Sequence, residues 1–259
     1  MRHVRANGVE IACEITGSGP PIVLCHGGEA DHRNFFNFAP LLSEHFTVVA
    51  YDQRDTGETR NGAEPYSVAD LGRDVGELIH ALGYGRAHVF GTSFGGLIAQ
   101  QAAIHCPDQV DHLILSVTWC GPEPQVSDEF YRFALSEKTP EQAREYRGMF
   151  FSEAFARAHP DEVEIRMQRV MFSRSPEQRA RRGGVSLGYD ASAQLPGLRN
   201  PTLVLQGGDD RIVLPDCPRK IARLIPGAEL VVLDGLGHAN TIEAPEQVAV
   251  AIFRFLDRA

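Results

Sequence analysis

Apolar positions along the chain change their period several times, and each change marks an element. GVEIACEIT alternates apolar and polar residues as a half-buried strand does. PPIVLC and HFTVVAYD are instead short continuous apolar runs bounded by Pro, Gly and charge, the pattern of strands covered on both faces. Helical spacing follows. Val68, Leu71, Val75, Leu78, Ile79 and Leu82 recur every three or four residues behind an approximate capping box of Ser67 and Asp70, and Gly83 stops the run. AHVFGTS then reads as a strand, FGGLIAQQAAIH as a helix and DHLILSVTW as a strand. From about Gly121 to Gln194 the strand patterns vanish, and amphipathic stretches rich in Arg, Glu and Phe take over. TLVLQG and AELVVLDG restore the strands around the helix DCPRKIARLIPG, and APEQVAVAIFRFLDRA closes the chain as a helix with Pro245 near its first turn.

Strands alternating with helices predict an α/β domain with a mostly parallel sheet of about eight strands and helices on both faces. The single interruption predicts a helical cap, residues 121–194, inserted into a core made of residues 1–120 and 195–259, near the sheet edge where ligands bind. Nine of the 21 aromatic residues and three of the four methionines fall between Gly121 and Asp190, a composition suited to lining an apolar pocket. Trp119, Phe130, Phe150 and Met171 are the pocket candidates.

Charge narrows the partners. With 34 acidic against 25 basic side chains the net charge is −9, which argues against nucleic acid or an anionic membrane and leaves a small molecule as the expected partner. The five cysteines are scattered and never spaced CxxC, so neither a disulfide framework nor a zinc site is expected. No apolar run of about 18 residues and no signal-like start occur, which predicts a soluble, cytoplasmic protein. No cofactor or metal is expected, and the oligomeric state stays open.

The chemistry-bearing motif is GTSFG, Gly91 to Gly95, between the strand AHVF and the helix GLIAQQAA. A strand turning sharply into a helix would strain Ser93 at the crest of the turn, with flanking glycines relieving the crowding. The helix start would aim N–H groups and a positive dipole end at the same spot. A serine hydroxyl needs a base, and the base needs a partner that fixes its tautomer. Among ten histidines, His238 in GLGHANTIEAPE follows the last strand and so falls on the same sheet edge as Ser93, whereas His26 in CHGGE reads as structural. TLVLQG ends in Asp209 and Asp210; Asp210 is preferred because it directly precedes the turn through Arg211 and Ile212, with Asp209 as the alternative. The backbone N–H of Gly28, in PPIVLCHGGEAD, pairs with that of Phe94 as the candidate oxyanion hole.

Taken together, the HGG turn, YDQRDTGET, GTSFGG, GGDDRIV and GHANTIEAPE resemble the landmarks of the α/β-hydrolase superfamily, in order and over nearly the whole chain outside the cap. The resemblance implies that fold, a triad of Ser93, Asp210 and His238, and oxyanion donors at Gly28 and Phe94. The chain departs from the frequent Arg-Gly-x-Gly after the fourth strand: Arg54 is followed by Asp55, Thr56 and Gly57. RDTG is similar to the methylesterases of anthracycline polyketides, the general layout to small esterases and enol-lactonases, and the segment itself reads as scaffold far from the chemistry. Serine at the elbow argues against haloalkane dehalogenases and epoxide hydrolases, which carry aspartate there. The implied activity is cofactor-independent hydrolysis of an ester or lactone of an apolar small molecule through an acyl-enzyme on Ser93. Two alternatives are a carbon–carbon bond hydrolase of ring-fission dienones, whose members usually have Asn where this chain has Thr92, and a ligand receptor on the same fold. Cofactor-free dioxygenation is remoter.

Overall fold

A computed structural model describes residues 1–121, 125–135, 139–172, 174–186 and 188–258, without the side chains of 134, 135, 140, 143, 144 and 169–172. Eight strands form one sheet: β1 (Arg2–Ala6), β2 (Val9–Thr16), β3 (Pro21–Cys25), β4 (Thr47–Tyr51), β5 (Ala87–Thr92), β6 (Val110–Ser116), β7 (Thr202–Gly207) and β8 (Glu229–Leu233). Their order is β1-β2-β4-β3-β5-β6-β7-β8; β2 runs antiparallel to both its neighbours, β1 and β4, and all the other neighbouring pairs are parallel. The helices are α1 (Ala39–Ser43), α2 (Val68–Ala81), α3 (Phe94–His105), α4 (Asp128–Leu135), α5 (Pro140–Phe150), α6 (Glu153–Ala158), α7 (Pro160–Phe172), α8 (Pro176–Gly183), α9 (Asp216–Leu224), α10 (Asn240–Glu243) and α11 (Pro245–Leu256). This is the α/β-hydrolase fold. Among the described residues no helix is long and apolar enough to cross a membrane.

The continuous apolar runs are explained by burial on both faces. Val23 and Cys25 of β3 join the cluster beneath α2, α3 and α9, while Ile22 and Leu24 join the one beneath α1 and α11. All four side chains are fully buried. The chain leaves β3 towards β4 on one side and, after β5, towards β6 on the other. The crevice at the carboxyl ends of β3 and β5 is therefore the switch point where such sheets bind ligands. Helices α4 to α8 run between β6 and β7, and α4 to α7 gather their own cluster around Phe133, Met149, Phe151, Val163 and Met167, seated on Ile212 and Val213 of the core.

Two expectations are corrected. DHLILSVTW does not continue as a strand to Trp119: β6 ends at Ser116, because Val117 adopts φ 45° and bends the chain towards the crevice. The first strand is β1 rather than β2. Asn7 and Gly8, at φ 47° and 75°, form the two-residue turn that joins these strands.

Helices α2 and α3 touch through glycine. A Cβ on Gly72 would lie 2.6 Å from the Gln101 carbonyl carbon, and one on Gly76 would lie 2.4 Å from Cys106 Sγ. Helix propensity alone predicts that Gly72→Ala stabilises by about 1 kcal/mol. The contact reverses the sign: Gly72→Ala should destabilise by about 1–3 kcal/mol through overpacking. Urea unfolding measures it, and a midpoint at or above that of wild type would refute this packing.

Candidate active site

Ser93 stands between β5 and α3 at φ 55°, ψ −124°, a region that non-glycine residues rarely occupy. Its surroundings fix it there. Ser93 N–H donates to the Ser116 carbonyl at 2.9 Å, and the Ser93 carbonyl accepts from Gly96 N–H and Thr118 Oγ1, each at 2.8 Å. The flanking glycines are steric requirements. A Cβ on Gly91 would come within 2.3 Å of the Gly95 carbonyl oxygen, and one on Gly95 within 2.1 Å of that of Cys25. Thr118, which carries no sequence signal, reaches Ser93 only because of the bend at Val117.

His238 sits on the loop after β8 and lines the same cavity as Ser93. Its Nδ1 faces the Asp210 carboxylate at 3.0 and 3.2 Å, and both side chains are nearly buried. Asp210 is itself oriented: Oδ1 accepts the N–H groups of Ile212 and Val213 at 2.8 and 3.0 Å, and Oδ2 accepts Gln206 Nε2 at 3.1 Å. Asp209, the alternative, is exposed and shapes the turn through its N–H to the Leu236 carbonyl. Glu243 Oε1 accepts the N–H groups of Gly237 and Ser152, both at 3.1 Å, and Ala239 N–H donates to the Phe150 carbonyl at 2.8 Å. The His238 loop is thus sewn to the end of α5.

On the other side, Gly27 and Gly28 also line the cavity. A Cβ on Gly28 would touch that of Phe94 at 3.5 Å, so the two candidate oxyanion donors are neighbours. Arg182 of α8, which the sequence reading overlooked, holds both residues. Its Nε donates to the Gly28 carbonyl at 3.1 Å, Nη1 to the Arg54 carbonyl at 3.2 Å and Nη2 to Gln53 Oε1, while Cζ lies 4.5 Å from the centre of the Phe94 ring. Arg181 Nε reaches Asp55 Oδ2 at 3.0 Å, and Arg174 Nη1 reaches Glu29 at 2.9 Å. The segment Arg54 to Gly57 is therefore not remote scaffold but the surface on which α8 docks. Burial alone would raise the Asp55 pKa; hydrogen bonds from Arg181, Tyr66 and Asn61 outweigh it and hold the carboxylate below its ordinary range.

Of the pocket candidates, Phe150 lines the cavity, together with Phe151, Met167 and Ile242. Trp119 and Phe130 are not among its lining residues; both pack into the cluster beneath α4 to α7. The Met171 side chain lies outside the described residues. Polar groups on the wall include Glu29, Arg33 and Arg166. His26 is fully buried behind the site, its Nδ1 2.8 Å from the Gly27 carbonyl, and acts as a brace for the turn.

A switch-point crevice under a strained strand-to-helix serine defines an α/β hydrolase. The chain belongs to the family described as alpha/beta hydrolase fold, whose family model matches residues 20–245. It is 33% identical over 224 residues, 83% of this chain and 82% of the relative, to a Caulobacter sp. (strain K31) protein named "Putative carbamate hydrolase RutD". A hydrolase from Pseudomonas aeruginosa PA01 superposes with a TM-score of 0.84 at 29% identity, covering 98% of this chain and 96% of that one. A thermophilic esterase from Thermogutta terrifontis superposes with a TM-score of 0.86 at 28% identity, covering 100% and 99%.

Burial, reinforced by the nearby Arg182 charge, drives the His26 pKa down from 6.5 to about 3. Between those values the unfolded chain binds a proton that the folded chain refuses, so stability falls as pH falls through this window. In His26→Gln the slope of unfolding free energy against pH should flatten by up to about 1.4 kcal/mol per pH unit, measured by urea titrations at several pH values. An unchanged slope would contradict the neutral, buried imidazole.

Proposed function

We propose that this hydrolase cleaves a carboxylic ester or lactone of an apolar small molecule through an acyl-enzyme on Ser93. The observation that carries the reading is the Asp210–His238 pair, whose imidazole lines the same cavity as Ser93. In this mechanism His238 takes the Ser93 proton as the hydroxyl attacks the carbonyl, and Asp210 keeps the imidazole in the required tautomer and supports its charge. The N–H groups of Gly28 and Phe94 stabilise the tetrahedral oxyanion, and water activated by His238 then releases the acid. Helices α4 to α8 serve as the cap, with Phe150, Phe151 and Met167 receiving the apolar part of the substrate. No cofactor is needed for these steps.

A second reading, hydrolysis of a carbamate, is supported by the name of the 33% identical relative and uses the same attack on a carbonyl. A panel of nitrophenyl esters, lactones, a carbamate and a ring-fission dienone separates the readings. Esters or lactones should turn over fastest, and Ser93→Ala should abolish both turnover and labelling by a fluorophosphonate. Ligand binding by a chain that neither labels nor turns over would favour a receptor. Asp210→Asn should lower kcat by about 10⁴-fold. The acid assignment fails if Asp209→Asn is the more damaging change.

Arg182→Gln tests the support of the oxyanion donors. Loosening them should lower kcat by about 10- to 100-fold and leave KM nearly unchanged, with Arg182→Lys intermediate. A rise in KM at constant kcat would instead assign Arg182 to substrate binding.

A further inference from the structure

The amino edge of the sheet, opposite the Ser93 crevice, carries a second group of chemistry-bearing side chains. His88 lies near the start of β5, about 16 Å along the strand from Ser93 at 3.3 Å per residue. The β5–β6 register shifts here: Ala87 pairs with Val110 and Val89 with Leu113, so Asp111 and His112 together oppose His88 alone. This is a β-bulge, a device that re-aims side chains. Without it one of the two β6 residues would project from the opposite face.

The outcome is chemically unusual. His88 Nδ1 lies 3.5 Å and His112 Nδ1 3.3 Å from the same Asp111 oxygen, Oδ2. Neither contact has the geometry of a hydrogen bond. Both Nδ1 atoms, and His112 Nε2 as well, are buried with no hydrogen-bond partner among the described residues. Buried imidazole nitrogens left without partners carry a cost, so three in one spot call for a ligand. The His88 side chain is 91% buried, being 9% exposed.

We propose that His88, Asp111 and His112 bind a divalent transition-metal ion of the Zn²⁺ class. Donors 2.0–2.1 Å from a tetrahedral ion are about 3.4 Å apart, which is the spacing of each imidazole from Oδ2. All three donor atoms lie within 4.8 Å of one another, so a small side-chain adjustment closes the remaining edge. Two imidazoles with one carboxylate suit Zn²⁺, Co²⁺ or Ni²⁺ rather than Mg²⁺ or Ca²⁺.

The surroundings resemble an outer shell. Asp111 Oδ1 is taken by Arg86 at 3.3 Å, which leaves Oδ2 for the ion and fixes the carboxylate. Phe46 packs edge-on to His88 and Phe255 to His112, with ring centroids 5.6 and 5.7 Å apart, and walls off the imidazoles. Asp111 itself is 36% exposed and provides the entry path and an open side for water. A second cluster, Asp31, His32 and Asp52, is also close-set, but its donors are already engaged. Asp52 accepts from His32 and Glu58, and Asp31 accepts from Arg33. Of these two clusters among the described residues, the β5–β6 group is the one with idle donors.

The test uses the full chain after EDTA treatment and dialysis, titrated calorimetrically with ZnCl₂ and, in parallel, with CoCl₂ followed by the visible absorption of tetrahedral Co²⁺. One ion per chain should bind, with the absorption of a nitrogen- and oxygen-ligated site and a rise in melting temperature. Asp111→Asn and His112→Gln should each raise the dissociation constant at least about tenfold and remove the thermal shift. Ser93→Ala should bind like wild type, so the result is independent of the proposed ester chemistry. Asp111 is partly exposed, so its variant keeps the test decisive if His112→Gln does not fold. Absence of stoichiometric binding, or equal affinity in wild type and Asp111→Asn, overturns the proposal.

Discussion

Holding a serine at φ 55° requires that every neighbour be arranged to keep it there. Strain of this kind, on the order of 1–3 kcal/mol, persists only where the surroundings over-determine the conformation. Here β6 fixes the Ser93 N–H, Thr118 and Gly96 fix its carbonyl, and the lack of side chains at Gly91 and Gly95 admits the close approach of α3 and of β3 respectively. A second strained residue, Val117, delivers Thr118. The crest of the turn is thus a meeting of three strands, and the position of one hydroxyl depends on all of them.

The helical insertion acts on the two sides of this crest by different forces. Towards His238 it offers neutral backbone hydrogen bonds and the Glu243 carboxylate. Towards Gly28 it offers guanidinium groups, one of them buried against Phe94. A buried cation is costly unless its donors are satisfied, and Arg182 satisfies them on three separate acceptors of the core. Such a contact contributes less to net stability than to uniqueness: few other placements of α8 would satisfy that charge.

Much of this was legible in the sequence, for physical reasons. In a parallel sheet every strand-to-helix loop emerges at the same edge, so Ser93, Asp210 and His238 could be assigned to one end of the molecule from element order alone. The Ser67–Asp70 capping box is present as read. The hairpin of β1 was signalled by Asn7-Gly8, but its strand has only Val4 and Ala6 facing inward, too few for a visible alternation. The arginines of α8 carry no signal of their own in the sequence, because charge on an amphipathic helix is usually a solvated face. The clue was Asp55, an acid where the family pattern has glycine, which implies a cation to meet it. Trp119 and Phe130 show the limit: aromatic composition locates an apolar layer, but which rings face the cavity and which seat helices depends on helix rotation that periodicity does not fix.

Because the insertion is stitched to the rest of the molecule at both rims of the crevice, it is not a module that can be exchanged at its two chain junctions. Grafting a segment without Arg181 and Arg182 would take from Asp55 and Gln53 the guanidinium partners they have here, and one that altered the backbone path at Ser152 would cost Glu243 one of its two N–H donors. A chimaera that keeps its geometry has to carry α8 together with the stretch from Gln53 to Gly57, and the end of α5 together with the loop from Gly237 to Glu243. Recombination involving this chain should therefore respect those two paired blocks as units of inheritance.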